Sequence, residues 1–140
     1  MKNYDQFHDG FLEGILIEDT TVYVQLSTDQ KERFSAVLTG VVALTVNGLK
    51  AGNVVFEVQT REAPELTVQD VEQLYDLVEG SAGQNQAQRL LKQAQEKTLM
   101  LFEIVPSYGA TCLVLARSVE IVDREKWLKS YSRSVVSNTP

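Results

Sequence analysis

Leu99 to Val122, reading LMLFEIVPSYGATCLVLARSVEIV, is the longest apolar part of the chain and is broken only at Pro106-Ser107-Tyr108-Gly109. Apolar runs of this length, rich in β-branched and aliphatic residues and split by turn chemistry, read as buried strands rather than helix. The stretch therefore predicts two strands folded back on each other. The chain before it should supply more sheet and a pair of helices, and the chain after it a short helix and a loose tail.

The earlier chain repeats the pattern at smaller scale. After a polar start, Phe7 offers an aromatic anchor and His8-Asp9-Gly10 a turn. Phe11 to Glu18 then alternates Phe11, Ile15 and Ile17 against Leu12, Gly14 and Leu16. Val22, Val24 and Leu26 alternate in the next strand, and Phe34, Ala36 and Leu38 in the third. Gly40 marks a bulge or bend before Val41 to Val46, because a glycine in a strand loses packing that only a backbone requirement offsets. Asn47-Gly48 and Ala51-Gly52-Asn53 are turn signals, and Val54, Phe56 and Val58 make a further strand.

The period changes after Arg61 to Pro64. Thr67 with Asp70 three residues on forms a short-armed capping box. Val68, Val71, Leu74, Tyr75 and Val78 recur at helical spacing, and Gly80 stands as a C-terminal stop. Ser81-Ala82-Gly83 then links to a second helix from about Asn85 to Lys97. Asp123 caps a last short helix in which Trp127, Leu128 and Tyr131 reach the core. The expectation is one α+β domain over 1–131, with 132–140 as a flexible tail. Its sheet is a curved antiparallel, half-barrel-like meander of six to eight strands, with Gly14 and Gly40 as the sources of curvature.

Composition excludes more than it identifies. A net charge of −6 gives an outward negative field, which repels a phosphate backbone and makes nucleic acid an unfavourable partner while favouring a basic protein. Cys112 is the only cysteine, so no disulfide forms within the chain and a reducing, cytoplasmic setting is the simpler expectation. The first residues lack a secretory h-region, and no apolar run reaches the roughly 20 residues that a membrane helix needs. No cofactor is called for, since one His and one Cys without ligand spacing do not make a metal set.

Four groups of residues carry candidate chemistry. His8 is the only histidine, and beside Asp9 it resembles a base with its acid. Adjacent residues on an extended strand point apart, however, so a turn with Gly10 at positive φ is the simpler reading. Cys112 reads as a core thiol amid Leu113-Val114-Leu115 rather than as a nucleophile. Tyr108 sits at the hairpin tip, where an exposed ring suits an interface. Glu13, Glu57 and Glu103 fall within apolar strands; they face water on the outer sheet surface or, if two meet in a cleft, form an acid and base pair.

FHDGFLEGILIEDTTVYVQL, LTGVVALTVNGLKAGNVVFEV and SYGATCLVL together resemble a family of small uncharacterised bacterial α+β domains, some grouped with immunity proteins of polymorphic toxin systems. The matching positions are His8, Asp9, Gly40, Val41, Tyr108 and Gly109. The resemblance implies a bacterial, cytosolic binding module and assigns no catalytic role. Three readings result: a non-enzymatic immunity-type module with His8, Asp9 and Tyr108 as binding residues; a small enzyme or ligand-binding protein with a cleft near His8; and a homodimer through an open sheet edge.

Overall fold

The computed structural model describes residues 1–137, with side chains described through Val135. Alternation does the local work. In β3 (Thr21–Ser27), Val22, Val24 and Leu26 are buried while Thr21, Tyr23 and Gln25 remain half exposed, as a strand with one core face requires. β2 (Phe11–Glu18) and β4 (Arg33–Thr39) flank it antiparallel. The remaining strands are β1 (Lys2–Asn3), β5 (Ala43–Asn47), β6 (Asn53–Arg61), β7 (Met100–Tyr108), β8 (Thr111–Ala116) and β9 (Ser118–Asp123). The helices are α1 (Val68–Tyr75), α2 (Ser81–Glu96) and α3 (Arg124–Ser137).

All nine strands join one curved antiparallel sheet, ordered β5-β8-β7-β6-β2-β3-β4-β9, with β1 added to β6; it does not close into a barrel. The two halves of the sheet share one core. Leu12, Val22, Val24, Leu26, Ala36 and Leu38 from one half meet Val55, Val58, Phe102, Ile104, Cys112 and Val114 from the other. On the far side of the second half, Leu101, Leu113 and Leu115 pack against Leu66, Leu74, Ala94 and Leu99. β8 is thus buried on both faces, which is why its sequence shows no alternation.

The long apolar stretch holds three strands rather than two. Its hairpin turns at Gly109-Ala110, while Pro106 lies inside β7 opposite Val55. Only Arg117 separates β8 from β9, yet the two lie far apart in the sheet. The reason is a bent two-stranded ribbon. β4 runs on into β5 and β8 into β9, and at the corner Gly40-Val41-Val42 stand opposite Ala116-Arg117, one residue more on one strand than on the other. Such an excess bends a ribbon. Gly40 has φ +62°, and a Cβ there would lie 2.8 Å from the Arg117 side chain. At the other predicted bend, the register of β2 against β3 shifts between Leu12 and Gly14, at Glu13.

The helices depart from expectation at their ends. Thr67 and Asp70 cap α1 reciprocally as predicted, but the helix stops at Tyr75 because Asp76 takes the left-handed conformation, at φ 48°. Gly80 precedes α2 instead of ending α1, and Ser81-Ala82-Gly83 form the first turn of α2 rather than a linker. Gly83 is required there, since a Cβ would overlap the Val78 carbonyl. α3 is not short: it continues through Ser137, taking in most of the predicted tail, and 138–140 lie outside the described residues. Likewise Lys2 and Asn3, in the polar start of the chain, pair with β6. Among the described residues no helix is long and apolar enough to cross a membrane.

Candidate functional site

The segment from Tyr4 to Gly10 is laced along one edge of β6. The Tyr4 and Asp9 amides donate to the Val58 and Val55 carbonyls, each at 2.9 Å, and the Val55 amide returns a bond to Gly10 at 2.9 Å. Phe7 is the anchor the sequence predicts: its ring is fully buried and meets Phe34 edge-on at 5.6 Å. The positive φ belongs to Asp9, at 61°, and not to Gly10. Aspartate tolerates this region better than most residues. Gly10 is needed for a different reason, because a Cβ there would overlap the Ser27 carbonyl oxygen.

Opposite this turn, β6 carries a bulge. Val55 pairs with Pro106 and Glu57 with Val105, leaving Phe56 as the extra residue. A bulge breaks the alternation and re-aims a side chain. Val55 and Val58 are therefore buried while Phe56 is 51% exposed, against the sequence reading of Val54, Phe56 and Val58 as one face. The Phe56 ring meets the His8 imidazole edge-on at 5.4 Å. Its carbonyl accepts a 2.8 Å hydrogen bond from His8 Nδ1. A carbonyl can only accept, so the proton sits on Nδ1 and the neutral ring turns its Nε2 lone pair outward.

Asp9 Oδ2 lies 3.6 Å from that Nε2. The Phe56 hydrogen bond, followed by the Asp9 carboxylate and more weakly by Asp29 and Asp5, raises the His8 pKa above its ordinary 6.5. His8 and Asp9 are thus neighbours in space as well as in sequence, joined by a turn that bends them together. His8 lines an open depression of about 390 Å³ together with Tyr4, Asp5, Phe56, Glu57 and Val58. Its walls offer two aromatic rings, an imidazole and carboxylates, a set suited to cations and hydrogen-bond donors.

The other candidates are not gathered here. Cys112 is fully buried, and burial pushes its thiol up to about 12. Glu13 is bound by Arg124 Nη2 at 2.8 Å, and Glu103 accepts from Gln59 at 2.5 Å. Of the three strand glutamates only Glu57 joins His8. Tyr108 is exposed at the end of β7, paired with Val54, and does not line the depression. Among the described residues no group of three or more His, Cys, Asp or Glu is placed to hold a metal ion.

Phe56, Tyr4 and Asp5 are among the site residues that sequence reasoning missed. Phe56 looks like core because local alternation carries no sign of a bulge. Pro106 directly across in β7 is the one available signal, since proline cannot donate to the ladder and sits at bulges. Compared with known protein families, with curated proteins and with solved structures, the chain finds no match.

Proposed function

We propose that this protein is a non-enzymatic binding module of the bacterial cytosol, and that it docks a cationic side chain of a partner protein in the depression at His8. The observation that carries this reading is the Phe56 bulge: it presents a half-exposed aromatic ring beside carboxylates on an acidic molecule. The chain already uses such contacts nearby, with Lys2 Nζ 4.9 Å from the centre of the Tyr4 ring and Lys31 Nζ 3.7 Å from that of Phe11. Among the described residues no lysine or arginine stands over Phe56, whose ring meets the edge of the His8 imidazole. The immunity role implied by the family resemblance is the form of this reading in which the partner is a toxin with a basic face. The second reading, a small enzyme or ligand-binding protein with its cleft at His8, draws on the presence of Glu57 in the same depression; Cys112, sealed in the core, takes no part in it.

The test is a nuclear magnetic resonance titration with an arginine-rich octapeptide, with a glutamate-rich peptide as control. Shifts centred on His8, Phe56 and Glu57 with the basic peptide alone are expected. Phe56→Ala should weaken binding by about two- to fivefold, the worth of one exposed cation–π contact. Binding should also tighten as pH rises through the raised His8 pKa, because the site loses a positive charge; one unit charge at about 6 Å in water amounts to roughly threefold. Equal binding of both peptides, or shifts elsewhere, would refute the assignment.

A further inference from the structure

Away from His8, one strand edge is left open. β2 pairs with β3 along its length, but on its other side it meets β6 only at Phe11 and Leu12. Beyond that point, among the described residues, no backbone bond other than those to β3 engages Glu13 to Glu18. The divergence stems from the fold: the Tyr4 to Gly10 turn and β1 occupy the rest of that edge of β6. Open edges in soluble proteins are blunted by lysine, proline or bulges. This one has neither lysine nor proline, and its bulge sits at its first residue, Glu13, leaving Gly14 to Glu18 in regular register. Instead it exposes Ile17 at 61% and Leu16 at 37%.

Unpaired strand amides and carbonyls specify an extended strand as the occupant, and the sequence of the edge specifies which one. We infer that β2 pairs antiparallel with β2 of a second copy, across a two-fold axis at Leu16. In that register Ile15 stands opposite Ile17 of the other copy, Leu16 opposite Leu16, and Gly14 opposite Glu18. Within residues 14–18 no carboxylate then faces a carboxylate, although each chain carries a net charge of −6; Glu13 and Asp19 of the other copy meet only beyond the ends of that ladder. Paired residues in a ladder share a face. Ile17, in register with buried Val22, would therefore rest on the other copy's half-buried Ile15 and extend the core across the axis. The arrangement is isologous, so it closes as a dimer and does not propagate.

Sedimentation equilibrium over a range of concentrations tests this. The wild-type chain should approach twice the monomer mass as concentration rises, and amides of residues 14–18 should exchange more slowly in step with it. Ile17→Lys alters an exposed position, so it should keep the wild-type circular dichroism and unfolding midpoint while remaining at the mass of one chain. A wild-type chain that stays monomeric at every concentration overturns the inference. So does a dimer that Ile17→Lys leaves intact, or one that forms without protecting 14–18.

Discussion

The two halves of the sheet are covered on their outer faces in different ways. Over β7 and β8, α1 and α2 bring Leu74, Ala94 and their neighbours onto Leu101, Leu113 and Leu115, and this layer is buried and aliphatic. Over β2, β3, β4 and β9 lies α3 alone, and the contact is aromatic and polar. Trp127 stacks on Tyr131 at 5.2 Å and tilts onto Tyr23 at 5.1 Å. The Tyr131 hydroxyl donates to Glu18 at 2.6 Å, and beneath the helix Ser35 donates to Gln25 at 2.5 Å. Arg124 joins Glu13 and also donates to the Leu26 carbonyl at 2.8 Å. The first cover rests on area removed from water; the second rests on a few directional contacts, which are individually weaker and sensitive to salt.

The largest expected difference is between truncations on the two sides. Leu113→Ala removes a fully covered side chain and should cost about 3–4 kcal/mol of global stability. Trp127→Ala, at a half-exposed site, should cost about 2 kcal/mol and loosen α3 ahead of the sheet. Urea unfolding followed by far-ultraviolet circular dichroism, with hydrogen exchange to localise the change, checks both. If α3 proves as costly to undercut as β8, the contrast fails.

An effect of similar size to that at Trp127 isolates a polar latch on the aliphatic side. Arg61 binds Asp70 through two hydrogen bonds, of 2.9 and 2.6 Å, tying the start of α1 to the end of β6. Burial pushes the Asp70 carboxyl up, but the Arg61 and Thr67 hydrogen bonds outweigh it and hold the pKa below its usual 3.8. A depressed pKa stabilises the fold above the unfolded value and ceases to do so as pH falls through the folded one. Asp70→Asn should therefore cost about 2 kcal/mol at pH 7. The gap to wild type should shrink as pH falls from about 4, where the unfolded carboxyl begins to protonate, down through the lower folded pKa, below which both states are protonated. Unfolding midpoints at pH 7 and pH 3 measure this.

The smallest effect lies on the α3 side. Arg124→Gln removes the ion pair to Glu13 and should cost about 1 kcal/mol, with part of the same loss produced in wild type by 1 M salt. A loss in the mutant with no salt response in wild type would assign the role of Arg124 to its backbone-carbonyl contacts instead.

The same contrast explains what was legible beforehand. The stretch from Thr111 to Ala116 reads as buried because both of its faces meet aliphatic layers, and a strand covered twice has no polar face to betray its orientation. Thr67 and Asp70 announce α1 because a cap is a contact across three residues. By comparison the site at His8 depends on Phe56, which a bulge turns outward, and on Asp9, whose left-handed backbone brings its carboxylate to Nε2. Neither leaves a trace in local periodicity, so His8 and Asp9 could be picked out by their chemistry and Phe56 could not.

From its order of residues alone, this chain determines where β2 to β4 and α1 begin, that Phe7 must be anchored, that Gly40 marks a bend and that Cys112 belongs to the interior. These are properties of neighbours a few bonds apart. Tertiary structure decides that β8 and β9 part company at Arg117, that β6 returns to β2, that α3 continues past Tyr131 and that Glu57 rather than Glu13 or Glu103 stands beside His8. Each depends on pairing between residues tens of positions apart. In such pairing many strands with similar alternation compete for one partner, and only the packing of the whole sheet separates them.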